Sequence, residues 1–152
     1  MALPRTYGSQ NCSVARALEV VGDRWTLLVV RAVFEGRRRF DDFQDDLGVA
    51  RNVLTDRLAR LCDEGLLRRV RYQERPERFE YRPTRKCVEL WPAMMALMLW
   101  GDRYYAPDGP PLVVRHAGCA GSVTTDLTCS ACGARLTPAD VVPEEGPGAR
   151  AG

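Results

Sequence analysis

DDFQDDLGVARNVLTDRLARLCDEGLLRRVRYQERPERFEYRPTR, residues 41–85, is the stretch whose reading decides the fold. Asp41 is placed to cap a short helix in which Phe40, Phe43 and Leu47 fall at helical spacing, and Gly48 supplies the left-handed residue that ends it. From Ala50 to Glu64 the apolar residues Val53, Leu54, Leu58, Leu61 and Cys62 form one stripe, which leaves Asn52, Thr55, Asp56 and Ala59 on the opposite side. Gly65 closes that second helix. Leu66 to Tyr72 then has strand composition, Gln73 to Glu77 carries a turn with Pro76, and Arg78 to Arg82 returns as a second strand. The order is helix, tight turn, helix and two-stranded hairpin: an α+β fold, mainly α with a small β-hairpin.

The outer face of the second helix is small and polar, as a major-groove reader requires. At about 100° per residue, Asn52 and Asp56 lie near its centre, Arg51 and Thr55 on one flank and Arg60 on the other. Asn pairs in bidentate fashion with adenine and Arg with guanine, while Thr donates to a base or touches a thymine methyl. Arg51 also stands in the first turn, the part of a recognition helix that meets base edges. Arg57 points toward the apolar stripe and reads as a structural arginine or a phosphate contact. A polar helix back can also do no more than face water, and the hairpin decides between these readings. Arg68, Arg69, Arg71, Arg75, Arg78 and Arg82 crowd it, with Arg75 and Arg78 near the tip, suited to phosphate or to the minor groove. Residues 51–86 hold eleven basic and six acidic side chains, a local surplus of +5 in a chain whose net charge is +2, so the positive charge is aimed at one region. The arrangement is that of a winged helix-turn-helix binding double-stranded DNA in a sequence-specific way, hence of a transcription regulator.

With 152 residues, 45% hydrophobic and 28% charged, the chain has room for one domain of ordinary size plus an appendage. The apolar run from Leu90 to Trp100 is too short to span a bilayer, and no signal-peptide core opens the sequence. A cytoplasmic protein without membrane contact is expected. In that compartment the six cysteines are thiols or metal ligands rather than three disulfides. No glycine-rich phosphate loop, nucleophile elbow or paired-carboxylate pocket is present, which argues against an enzyme.

Around the central stretch, Asn11 or Cys12 opens a helix, SVARALEVV, that Gly22 closes. Asp23 caps the next, Arg24 to Glu35, whose Trp25, Leu28, Val29 and Ala32 or Val33 are expected inside. Arg37 to Phe40 is placed to add a short third strand to the wing. After the wing, Thr84 caps a long helix to about Tyr105, with Pro92 kinking it or accommodated early. Its apolar surface exceeds what one neighbour covers, which points to a homodimer interface shared with the first helix; the alternative is a buried helix of a monomer.

Cys12 followed by VVGDRWTLLVVRAVFEG, then RRFDDFQDDLGVARNVLTDRLARLCDEGLL, YQERPERFEYRPT and LWPAMMALMLWGDR, resembles the HxlR-type winged helix-turn-helix regulators of the MarR-like superfamily. The resemblance spans about residues 10–106, taken as the DNA-binding and dimerisation domain. It implies a homodimeric DNA-binding transcription factor, often a repressor, with a small-molecule or oxidant effector as a further partner. Cys87 departs from the pattern, which has a glycine there. Some members use a cysteine at the start of the first helix to sense oxidants or electrophiles, and Cys12 holds that position. A helix N-terminus and the nearby Arg16 would favour its thiolate; the alternative is a small residue packed under the dimer helices and inert by burial.

Beyond the linker APDGPP, residues 111–142 carry His116-x2-Cys119 and Cys129-x2-Cys132, nine residues apart. Two such knuckles bind one ion in a closed tetrahedron, so the segment reads as a short β zinc-knuckle or zinc-ribbon-like module with structural zinc. Gly121 and Gly133 relax the backbone just past each pair. The metal would supply the core that so few apolar side chains cannot build. The competing readings are a metal-free tail, a zinc-dependent protein-interaction module, and a thiol-disulfide oxidoreductase using the Cys129 and Cys132 pair. Residues 143–152, PEEGPGARAG, read as a disordered end.

Overall fold

The computed structural model describes residues 11–149, and the chain divides into two compact units between Cys87 and Val88. The division thus falls ahead of the long apolar segment rather than in the linker at 106–111, and residue 10 of the expected first domain lies outside the described residues.

In the first unit, α1 (Ser13–Val21) starts from Cys12 and ends at Gly22, whose N–H returns to the Leu18 carbonyl at 2.8 Å. Asp23 caps α2 (Thr26–Phe34) as its sequence position implies: Oδ1 accepts from the N–H groups of Trp25 and Thr26 at 2.9 and 3.0 Å, and the Thr26 hydroxyl donates to Oδ2 at 2.6 Å. Because the helix begins at Thr26, its inner stripe is Thr26, Val29, Val30 and Val33, with Ala32 beside it, all buried. Two expected core residues fall off that stripe. Leu28 is 37% exposed and Trp25 is half-buried.

Helix α3 (Phe40–Leu47) begins one residue before Asp41, so Asp41 is not its cap; the Arg39 N–H instead meets Asp42 Oδ2 at 3.4 Å. Gly48, at φ 59°, ends it in the left-handed region. Helix α4 (Arg51–Asp63) follows and buries Leu54, Leu58 and Leu61. Strands β1 (Leu67–Gln73) and β2 (Arg78–Pro83) pair antiparallel from Leu67 opposite Pro83 to Arg71 opposite Phe79, with a slip between Arg71 and Gln73. The third strand expected at Arg37 to Phe40 does not form. One bond, from the Tyr81 N–H to the Arg38 carbonyl at 2.7 Å, takes its place, since α3 claims the chain from Phe40 onward. Phe43, fully buried, meets Tyr81 edge to face at 6.3 Å.

The single long helix expected after Thr84 is two: α5 (Arg85–Val88) and α6 (Trp91–Tyr105). Pro92 stands in the first turn of α6, where its missing N–H forfeits no helical hydrogen bond. Cys87, in the glycine position of the resembled pattern, is fully enclosed, and burial pushes its thiol up to about 11.

In the second unit, α6 leaves Leu97, Trp100, Tyr104 and Tyr105 exposed. Strand β3 (Leu112–His116) then pairs antiparallel with β4 (Val141–Glu145), from Leu112 opposite Glu145 to His116 opposite Val141. Between them, single bridges join Arg115 to Ser122, Val123 to Cys129 and Thr128 to Arg135. Residues 143–145, expected to begin a disordered end, therefore lie in a strand. The backbone groups of β3 need partners on that side, and Pro143 is tolerated because β4 is an edge. Residues 150–152 lie outside the described ones. Among the described residues no helix is long and apolar enough to cross a membrane.

Candidate nucleic-acid interface and metal centre

Arg51, Asn52, Thr55, Asp56 and Ala59 line one shallow, open depression along α4, and all five are exposed. The Arg51 guanidinium lies 4.5 Å above the Phe40 ring of α3, and this stacking limits where the cation can point. Thr55 donates its hydroxyl proton to the Arg51 carbonyl at 2.8 Å. Its outward groups are therefore a methyl and acceptor lone pairs, not the donor expected from sequence. The Asp56 carboxylate accepts from Arg57. Arg57 forms an ion pair with the corner ahead of α2, its Nε 2.9 Å from Asp23 Oδ2. Burial alone would raise the Asp23 carboxyl, but hydrogen bonds from the Thr26 hydroxyl and the N–H groups of Trp25 and Thr26, with the Arg57 charge, hold it below the ordinary value.

Arg60, placed by its wheel position on the reading face, is instead engaged with the protein: Nη2 donates to the Glu19 carbonyl of α1. The helical wheel gives a direction and not a neighbour, and here the neighbour is α1. Phe40 beneath Arg51 was invisible for the same reason, since α3 and α4 pack through tertiary contacts.

Along the wing, Arg69 stacks on Phe79 at 3.8 Å, Arg71 pairs with Glu77 at 3.2 Å, and Arg82 pairs with Glu80. Arg39, ahead of α3, lies 4.4 Å over Tyr72 of β1. Arg75 and Arg78 are exposed at the tip, with no ion pair or ring contact among the described residues. Cys12 is exposed in the single chain, and Arg16 donates to Asn11 Oδ1 at 2.9 Å.

The second unit brings its two knuckles together. The ligand atoms of His116, Cys119, Cys129 and Cys132 all lie within 4.8 Å of one another. Cys119 Sγ is 3.3 Å from His116 Nδ1 and 3.2 Å from Cys129 Sγ, and Cys132 Sγ is 3.5 Å from His116 Nδ1. Sulfur at about 2.3 Å and nitrogen at about 2.0 Å from a tetrahedral zinc stand roughly 3.5–3.8 Å apart, so small adjustments fit this cluster around an ion. All four could hold a metal. The N–H groups of Cys132 and Ala131 outweigh burial and draw the Cys129 thiol down to about 6. The Gly121 N–H lowers Cys119, but sharing its proton with Cys129 leaves it raised. Gly133 takes φ 71°, as a turning knuckle demands. Gly121 has a different reason: a Cβ there would overlap Cys129 Sγ.

The family model for the HxlR-like helix-turn-helix matches residues 20–109. The chain belongs to that family. It is 46% identical over 140 residues to the HTH-type transcriptional regulator Rv3095 of Mycobacterium tuberculosis (strain ATCC 25618 / H37Rv), covering 91% of this chain and 89% of the relative. The crystal structure of PA1607 superposes with a TM-score of 0.72 at 36% identity, covering 88% of this chain and 94% of that one. The redox regulator HypR, in its reduced form, matches with a TM-score of 0.58 at 26% identity over 60% of this chain and 92% of its own. The fold is therefore a winged helix-turn-helix of DNA-binding transcription regulators, followed by a small β module. The likeness to Rv3095 and PA1607 extends beyond the matched family region, whereas HypR is nearly used up by 60% of the chain.

Proposed function

We propose that this protein is a cytoplasmic, sequence-specific repressor that binds double-stranded DNA as a homodimer, performs no enzymatic reaction, and carries one structural zinc per chain. The observation that carries the DNA reading is the exposed face of α4, where Asn52 stands beside an Arg51 held over Phe40. Arg51 and Asn52 read base edges, Thr55 meets a thymine methyl, Asp56 accepts from a cytosine amine, and Arg75 and Arg78 take phosphate or the minor groove. Arg60 leaves the set of contacts. The homodimer reading is supported by exposed Val14 and Leu18 on α1 and by Leu97, Trp100, Tyr104 and Tyr105 on α6. A two-fold dimer would set two α4 helices on half-sites one helical turn apart.

Zinc is favoured over the oxidoreductase reading because His116 and Cys119 converge with the Cys129 and Cys132 pair, all four ligand atoms lying within 4.8 Å of one another, which a redox pair does not need. Metal analysis of reduced protein should return one zinc per chain; none would end this part of the proposal. Exposed Cys12 and the likeness to a redox regulator support an oxidant or electrophile as effector. A Cys12→Ser protein that releases DNA under peroxide as the wild type does would remove Cys12 from the mechanism.

The decisive experiment is footprinting and gel-shift titration on the intergenic DNA beside the chain's own gene, over a range of salt. A two-fold-symmetric footprint and steep salt dependence are expected. Arg51→Ala and Asn52→Ala should relax base preference, and Arg78→Ala should weaken all sequences alike. Unchanged affinity and preference in both α4 variants would overturn the assignment.

A further inference from the structure

Arg57 and Arg60 stand one turn apart on α4, and both are held by the corner where α1 ends and α2 begins. Glu19 lies in the last turn of α1, and its carbonyl oxygen receives Arg60 Nη2, a cation at the negative end of that helix. Asp23, two residues past α1, caps α2 with Oδ1 and faces Arg57 Nε at 2.9 Å with Oδ2. The corner thus offers two acceptors to two cations at i and i+3. The apolar contacts of Leu54, Leu58 and Leu61 turn the buried face of α4 toward the core, and the two polar contacts pin its edge at the end of α1 and at the Asp23 corner. The Arg60 hydrogen bond has direction, and the Arg57–Asp23 ion pair adds a second fixed point one turn away.

We infer that Arg57 and Arg60 are positioning residues for DNA reading: bound to Asp23 and to the Glu19 carbonyl, they set the rotation of α4 that presents Arg51 and Asn52, without touching DNA themselves. This rests on the DNA-reading function proposed above. It also makes α1 the element whose placement α4 follows.

The test uses the full chain and a duplex selected by the wild type from a randomised pool. Asp23→Asn keeps the oxygen that accepts from the α2 N–H groups but replaces the one that faces Arg57 and accepts from the Thr26 hydroxyl with an amide donor. Urea unfolding is therefore run beside it to confirm that the first unit stays folded. The substitution removes a negative charge from a DNA-binding protein, so long-range electrostatics alone would tighten binding. Tethering requires the opposite, about tenfold weaker binding to the selected duplex with reduced discrimination against unselected DNA. Arg60→Met, which keeps the apolar stem and leaves the α2 cap alone, should weaken binding similarly with the slope of log affinity against log salt unchanged. A phosphate contact would instead lower that slope by about 0.9. Tighter or unaltered binding by Asp23→Asn, or a slope reduced by about one unit in Arg60→Met, overturns the inference. Failure of the wild type to select any sequence sinks the DNA-reading function itself, a distinguishable result.

Discussion

The two ends of this chain reach order by different routes. The first unit closes over a continuous apolar core running from Ala15 through Val30, Phe43 and Leu58 to Leu67 and Cys87, and it carries the arginine-rich helix and wing. The module from Leu112 to Glu145 buries only Val114, Val123, Cys129 and Leu136 among its described apolar side chains, and it sets Arg115 and Arg135 against Asp126, Asp140, Glu144 and Glu145. One unit is held by area removed from water. The other, on the zinc reading proposed above, depends on four donor atoms converging on a point. The charge contrast says more: the basic unit suits a polyanion, while the acidic module is repelled by one.

Metal removal should separate the two most sharply. A chelator is expected to abolish hydrogen-exchange protection across β3 and β4, because structural zinc supplies about 10–16 kcal/mol of apparent folding free energy in small modules. Thermal unfolding of the first unit should not shift. Protection that survives in demonstrably metal-free protein would erase the distinction.

Phe43→Ala is the reciprocal experiment. A fully buried ring in edge contact with Tyr81 should cost about 3–5 kcal/mol, read from urea unfolding followed by circular dichroism, with metal stoichiometry intact.

Two glycines sharpen the comparison further. An alanine at Gly48, with open space around it and φ 59°, should cost roughly 1–2 kcal/mol through the backbone alone. At Gly121 the same substitution should instead displace a ligand sulfur and lower the affinity for cobalt, followed by its thiolate charge-transfer absorption.

The smallest effect is on acid stability. The folded Asp23 carboxyl lies below its ordinary value, so its contribution is present above the unfolded pKa near 3.8 and is lost as pH falls through the folded value. Asp23→Asn should flatten the acid limb of the first unit below about pH 4, while the metal module, whose thiolates must stay deprotonated, should fail at higher pH. Coincident acid transitions would contradict this ordering.

What was legible in the sequence were features that depend on near neighbours. The α4 stripe, the Gly48 stop, the Asp23 cap and both metal knuckles follow from spacing and side-chain chemistry over a few residues. What escaped needed a partner from elsewhere. PEE at 143–145 has the composition of a loose end and becomes a strand only because β3 presents unpaired backbone. Arg60 points outward on any wheel, yet α1 lies there. Leu28 turns outward because α2 starts at Thr26 rather than at Arg24, and the chain breaks at Glu89 and Leu90 because Pro92 belongs to the first turn of a new helix.

Position 121 illustrates how a residue without any reactive group can be among the most constrained. Because a single hydrogen is the largest substituent tolerated beside the Cys129 sulfur, every missense change at that codon adds at least a methyl where the ligand must sit. In a mutational scan of the whole chain, that codon should tolerate as little as those of the four donors, even though it gives the ion no electron pair.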